Sequence, residues 1–467
     1  MIDKDFDIGV IHIIGVGLHT SNTYWACDVI IMMKFIFNDS TFSLQLLRTI
    51  GETYYKCADI GECISTAYRV KEGDFESWHE EWLKTAKRIH QYAEDCLAKN
   101  HLTSAKEAYL RASNYYRASG FLLIEPDDPR VLTTLDLSKD CFKKATSLFT
   151  YLVEPIQIPY EGTTLPGYFY HAVRGKINQD SKQIDQQQQL GDNKNTNNNI
   201  NKNTTTTYPT LIVVGGFDST LEELYASAAA AAVERGYNCL TFEGPGQGEV
   251  IYKKNLPFRY DWEKVVTPIS DFVISNQNEF NADPKRIALM GISMGGYLAA
   301  RAVAFEPRIS AGVLYNGVYD GYDAIQTSFP KELLDALNTG NSEFVNTTLT
   351  NLMESDPNVK FNMKHGMRTT GTNSPYELII GAKNYSVKDI LKDIKIPTLV
   401  LDAEKEDSFP GQSKKVYDGL VSLPPESKKY ILFTEEEGAE EHCQTGALAI
   451  THQRVFDWLD EMLNDNS

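Results

Sequence analysis

The sequence is poor in what metal sites, disulfide frameworks and membrane anchors need. Seven cysteines are scattered over 467 residues, an odd number, with no CxxC pair and no His/Cys cluster at zinc-ligand spacing. They read as reduced, buried thiols in a cytoplasmic protein, and neither a metal nor an organic cofactor is expected. Basic residues are outnumbered: 45 Lys plus Arg against 63 Asp plus Glu give a formal net charge of −18. That balance works against nucleic acid or an anionic membrane as a partner. No apolar run reaches membrane-spanning length, since the most apolar early stretch, residues 29–37, is short and carries Lys34. The N-terminus, Met1-Ile2-Asp3-Lys4-Asp5, is acidic where a secretory signal is basic, so no signal peptide is expected.

What is present is core material: 42% apolar residues, with 25 Tyr and 21 Phe. A chain of this length normally divides, and two domains are the default. From about Phe42 to Thr146 glycine and proline are few and apolar residues recur at helical spacing. Trp78, Trp82, Ala86, Ile89, Tyr92, Ala93, Cys96 and Leu97 form one stripe. A second helix is expected from Ser104, as N-cap with Glu107 three residues on, to Gly120. It mixes Arg111, Asn114, Tyr115, Tyr116 and Arg117, either packing and solvated groups or hydrogen-bond donors lent to a pocket beneath, with Tyr116 and Arg117 as substrate-binding candidates.

After one more helix the period changes to strand-like alternation at Ile156, Ile158 and Tyr160, which puts a domain boundary near Glu154. The expected division is a helical domain over 1–153, with 1–40 unassigned, and an α/β domain over 154–467. Residues 176–207, built from Gln, Asn, Asp, Lys and Thr, cannot form a core and are expected to be a disordered insertion in a surface loop. Strands at 211–214, 238–242, 287–290, 311–315, 398–401 and 430–433 then alternate with helices, which implies a parallel sheet with crossover helices. Some eighty residues between the strands at 311 and 398, with helices at 331–337 and 342–354, are placed to roof a site.

One stretch carries chemistry by itself. Gly291-Ile292-Ser293-Met294-Gly295-Gly296 stands between an apolar strand and a helix, the G-x-S-x-G pattern of a nucleophile elbow. A serine nucleophile needs an acid and a histidine, in that chain order, and an oxyanion hole. His442 is the base candidate, because it leaves the last strand in a loop, whereas His452 lies within an amphipathic terminal helix and His365 precedes the last two strands. Asp402, Glu404, Glu406 and Asp407 follow the strand at 398–401; Asp407 is chosen as the acid, with Asp402 and Glu406 as competitors. Met294 N–H and Phe217 N–H, the latter in Gly215-Gly216-Phe217-Asp218-Ser219, are the expected oxyanion donors. Asp218 either caps a helix or contacts a polar substrate group. Glu243-Gly244-Pro245-Gly246-Gln247-Gly248-Glu249 superficially resembles a dinucleotide loop, but Pro245 and the missing helix opening make it a tight structural loop beside the elbow.

In this order the segments resemble the α/β-hydrolases with an N-terminal helical cap, a group that includes 2,6-dihydroxypseudooxynicotine hydrolase, fungal polyketide-shortening hydrolases and the esterases named for the fermentation-respiration switch protein. The matching segments are Trp78-His79-Glu80-Glu81-Trp82, the run 104–121, Gly215 to Ser219, 242–249, the elbow, Asp407-Ser408-Phe409-Pro410-Gly411-Gln412 and Gly438-Ala439-Glu440-Glu441-His442-Cys443-Gln444. The resemblance implies a Ser293, Asp407 and His442 triad, favours Asp407 over Asp402, places Asp218 in the active site, and sets the helical block over the strand ends with substrate between. Family members cleave esters or a carbon-carbon bond beside a ketone, as in β-diketones. The expected partner is a small-molecule substrate, with a homodimer left open. The competing reading is a hydrolase-fold regulatory or ligand-binding protein with little catalysis. Deleting residues 176–207 is expected to leave melting temperature and activity nearly unchanged; a collapse of either shows that the insert is structural.

Overall fold

A computed structural model describes residues 35–125, 127–172, 206–327 and 329–464. Most of the apolar run 29–37 and nearly all of the segment 176–207 lie outside these residues.

The N-terminal part is helical. It comprises α1 (Ser40–Gly51), α2 (Ile60–Ala67), α3 (Phe75–Ala98), α4 (Leu102–Phe121) and α5 (Pro129–Thr146). Asp39, Asp59, Asp74 and Asp128 cap four of them by accepting first-turn N–H groups. The α3 stripe buries Trp78, Trp82, Ala86, Ile89 and Ala93, while Tyr92 and Leu97, on the stripe's margins, are half exposed and exposed. Trp78 and Trp82 sit 5.6 Å apart and Trp82 lies 5.5 Å from Tyr115 of α4, an aromatic column that fastens the two helices. Helix α4 starts at Leu102; its N-cap is His101, three residues before the expected cap Ser104, and makes no side-chain capping bond.

Helices give way to strands at Val153. The strands are β1 (Val153–Tyr160), β2 (Thr163–Tyr170), β3 (Tyr208–Val214), β4 (Asn238–Phe242), β5 (Ala282–Ile292), β6 (Ala311–Tyr315), β7 (Thr398–Ala403) and β8 (Lys428–Phe433). They form one sheet in the order β1-β2-β4-β3-β5-β6-β7-β8. β1 and β2 make a hairpin whose two turn residues, Glu161 and Gly162, both have positive φ, 39° and 79°. β2 runs antiparallel to β4, and all later pairs are parallel.

Both faces of the central strands are covered. Leu211, Val213, Met290, Val313 and Leu399 belong to one apolar cluster together with the helical part; Ile212, Val214, Leu289, Leu314 and Val400 point the other way into a second cluster. This is the two-residue strand period with both sides buried, which is why these strands read as unbroken apolar runs.

Ions also join the helical part to the sheet. Arg48 of α1 forks onto Glu223, with Nη2 2.7 Å from both carboxylate oxygens, and reaches Asp218 at 3.1 Å through Nη1. Glu223 is buried, and Arg117 of α4 lies 3.8 Å from it. Removing one member of such a group leaves buried charge uncompensated. Arg48→Met is therefore expected to lower unfolding free energy by about 2–3 kcal/mol in urea titrations; an unchanged midpoint would show that these pairs contribute nothing to holding α1 against the sheet.

Candidate active site

Ser293 stands between β5 and the helix Met294–Val303, with φ 61° and ψ −128°. A non-glycine residue holds such angles only where its surroundings enforce them. The surroundings are backbone packed on backbone. A Cβ on Gly291 would lie 1.8 Å from the Gly295 carbonyl oxygen, and one on Gly216 would lie 2.8 Å from Ser293 Cβ. The glycines thus let the turn close and let the loop after β3 touch the serine.

His442 meets the serine from the loop after β8. Its Nε2 lies 2.9 Å from Ser293 Oγ. Its Nδ1 lies 2.8 Å from both oxygens of Glu406. Here the geometry departs from expectation: the carboxylate on His442 is Glu406, not Asp407. Asp407 is exposed and accepts a hydrogen bond from Ser408 Oγ at 3.1 Å. The turn after β7 decides this. Glu406 N–H donates to Ala403 O, and the following Ser408 and Phe409 N–H groups each donate to Glu406 Oε1 at 2.9 Å, so the chain folds back around the Glu406 carboxylate. Asn316 Nδ2, after β6, donates to its other oxygen. Asp402 is buried but faces sideways, accepting from Tyr430 OH at 2.6 Å. Glu404 is exposed and accepts from the Glu435 N–H.

These contacts set the charges. Burial opposes ionisation of Glu406, but the facing His442 and the two backbone donors outweigh it and hold the carboxyl below its ordinary range. Burial would likewise lower the His442 pKa, yet the adjoining Cys443 sulfur and Glu406 raise it well above the usual value. In the neutral imidazole the ionised Glu406 keeps the proton on Nδ1, and Nε2 is then the acceptor for the Ser293 hydroxyl. The His442 loop is anchored in turn: Tyr315 OH, at the end of β6, donates to Cys443 O at 2.7 Å.

Met294 opens its helix, so its N–H is a first-turn donor without an intrahelical acceptor. Phe217 follows Gly216 on the loop against Ser293. A small cleft of about 70 Å³ opens beside this loop, walled by Phe121, Phe217, Asp218, Ile251, Tyr252 and His365 among others. Its walls include neither Ser293 nor His442; Phe217 of its wall follows Gly216, which packs against Ser293. Asp218 does not cap a helix; it pairs with Arg48 at the cleft wall. Arg117 also reaches the wall, held by Asn114 Oδ1 and Thr49 Oγ1. Tyr116 does not: it is buried between helices, its hydroxyl 3.2 Å from His90 Nδ1.

His365 is the cleft residue that chain order had set aside. It sits on the helix Pro357–Thr370, stacks on Phe361, and its Nε2–H donates to Phe217 O at 3.2 Å. Asp356-Pro357, an N-cap followed by proline at the first helical position, was the legible signal for that helix. His452, buried in the terminal helix, bridges Tyr55 OH and Ser227 O. Among the described residues no group of three or more His, Cys, Asp and Glu side chains is arranged to hold a metal ion, and no helix is long and apolar enough to cross a membrane.

Residues 211–412 match the alpha/beta hydrolase family. Over 442 residues the chain is 35% identical to hydrolase LUC6 of a Fusarium species, covering 92% of this chain and 98% of that protein. It is 33% identical over 441 residues to 20-hydroxy-prefusarin hydrolase FUS2 of Gibberella moniliformis, with the same 92% and 98% coverage. The chain belongs to the alpha/beta hydrolase family. Among solved structures, this alpha/beta hydrolase is similar in fold to 2,6-dihydroxy-pseudo-oxynicotine hydrolase, with TM-score 0.64, 19% identity and coverage of 89% of this chain and 96% of that one. AbyA5 follows at TM-score 0.56 and 17% identity, with 87% and 94% covered.

In this alpha/beta hydrolase Glu406→Gln is expected to cut kcat by about 10³–10⁴-fold, while Asp407→Asn stays within about threefold. Because the Glu406 carboxylate stabilises protonated His442, its loss lowers the His442 pKa. The acid limb of the residual pH–rate profile should therefore move to lower pH. Steady-state kinetics from pH 5 to 9 check both, and the reverse ranking of the two variants would return the role to Asp407.

Proposed function

We propose that this alpha/beta hydrolase is a serine hydrolase that cleaves an ester, or a carbon-carbon bond beside a ketone, in a small organic molecule. Ser293 is the nucleophile, His442 the general base and then acid, and Glu406 the group that holds the imidazole. The observation that carries the reading is the unbroken line Ser293 Oγ, His442, Glu406, with contacts of 2.9 and 2.8 Å on the two ring nitrogens.

The steps balance without another reagent. Ser293 Oγ bonds to the substrate carbonyl carbon as its proton passes to His442 Nε2, and the carbonyl oxygen becomes an oxyanion facing the Met294 and Phe217 N–H groups. Collapse breaks the bond to the leaving alkoxide, or to an enolate, which takes the proton back from His442. Water, deprotonated by the same histidine, then attacks the acyl carbon; the bond to Ser293 Oγ breaks, Oγ takes the proton back from His442, and a carboxylic acid leaves. The cleft's apolar walls with Asp218, Arg117 and His365 suit an oxygenated, largely apolar substrate. Similarity to a protein named for hydrolysing 20-hydroxy-prefusarin supports a small organic substrate as well. Six free cysteines among the described residues fit a reducing compartment, the cytoplasm.

A panel of p-nitrophenyl esters and β-diketones tests the reading. Turnover of at least one class is expected, with Ser293→Ala reducing kcat by about 10⁴–10⁶-fold. Turnover that survives Ser293→Ala would overturn the assignment. Which class turns over decides between ester and carbon-carbon cleavage.

A further inference from the structure

The loop Glu243-Gly244-Pro245-Gly246-Gln247-Gly248-Glu249 has no place in the chemistry above, yet one of its side chains reaches the oxyanion loop. Gln247 is buried, 2% exposed. Its Oε1 accepts the Gly244 N–H at 2.9 Å, and its Nε2 donates to two carbonyls, Gly215 O at 2.7 Å and Gly216 O at 3.0 Å. Only this orientation of the amide satisfies all three contacts, since the nitrogen has two protons and faces two acceptors.

The contact with Gly216 O carries further than a packing bond. The Gly216 carbonyl and the Phe217 N–H belong to one peptide plane, and in a trans peptide they point in opposite directions. Fixing the carbonyl toward Gln247 therefore fixes the direction of the Phe217 N–H. The neighbouring peptides are also pinned: Gly216 N–H donates to Ser219 Oγ at 3.0 Å, and Phe217 O accepts from His365 Nε2 at 3.2 Å. On the far side, the position of a Gly216 Cβ is 2.8 Å from Ser293 Cβ and 3.1 Å from Ser293 Oγ. Glu243, also buried, holds Gln247's own loop in place by accepting Leu221 N–H and Glu249 N–H, each at 2.8 Å.

We propose that Gln247 is a positioning residue for the oxyanion hole: its amide clamps the Gly215 and Gly216 carbonyls so that the Phe217 N–H is preorganised toward the oxygen that becomes charged. This rests on the serine-hydrolase reading. A donor aimed in advance acts on the transition state rather than on the bound substrate, so its loss appears in kcat. The other loop contacts, from Ser219 and His365, set where the segment runs; among the described residues Gln247 is the group that grips the carbonyl of the donating peptide.

Gln247→Met, which keeps the side chain's length and removes all three hydrogen bonds, is the test. Gln247→Glu, which keeps the acceptor for Gly244 and places oxygen against the two carbonyls, replaces it if the Met variant does not fold. On the best ester or β-diketone, kcat is expected to fall about 100-fold with KM within about threefold. Affinity for an aryl trifluoromethyl ketone, which forms a tetrahedral adduct, should fall in step with kcat, while the matching aryl methyl ketone binds within about threefold of wild type. Unchanged kcat, or parallel losses for both ketones, would overturn the proposal. Absence of turnover and of adduct in the wild-type protein would instead overturn the serine-hydrolase reading, so the two failures are distinct.

Discussion

The backbone at Ser293 is the constraint on which the rest depends. A φ of 61° at a serine costs on the order of 1–3 kcal/mol in isolation. It persists because the turn is closed on every side by backbone that only glycine admits: Gly291 against Gly295 O, Gly295 against the Val214 and Gly215 carbonyls, Gly296 against Asn316 O. The sheet register delivers these neighbours together. Gly291 pairs across to Val214 on one side and Leu314 on the other, so the ends of β3, β5 and β6 finish side by side. From β3 comes the Gly215–Phe217 loop, from β6 come Tyr315 and Asn316, and from the turn after β7 comes Glu406. The strained serine is thus the point at which four strand ends meet.

Electrostatics follow the same organisation. Glu406 stays ionised in a buried place because the folded turn surrounds it with N–H donors and His442. A second charge group lies behind the Gly215–Phe217 loop, where part-buried Arg48 of the helical part pairs with part-buried Asp218 and buried Glu223. Asp218 adjoins Phe217, so the helical part is tied to the loop that faces Ser293 by charge-assisted hydrogen bonds rather than by apolar contact alone.

Much of this was legible in the residues. The six strands from β3 onward are read correctly because burial on both faces leaves unbroken apolar runs, and the elbow because glycine, serine and glycine have a fixed spacing between a strand and a helix. The ordered motifs also point to the family. What the residues do not show is the rotation of a loop. Glu406 and Asp407 are adjacent, both acidic, and both beyond a strand end; only the hydrogen bonds of the turn 403–409 select between them. Likewise Tyr116 and Arg117 are neighbours on α4 but point about 100° apart around it, and only packing shows that Arg117 reaches the cleft while Tyr116 meets His90. The Arg48–Asp218 pair spans 170 residues of sequence, and no local pattern marks it.

The central claim is that Ser293, activated by His442, is the attacking group. It is tested most directly by incubating the native protein with a fluorophosphonate and measuring intact mass, followed by peptide mapping. The account predicts a single stoichiometric adduct on Ser293, lost in Ser293→Ala and formed far more slowly when His442 is replaced by alanine. No adduct, or an adduct on another residue that persists in Ser293→Ala, would contradict it.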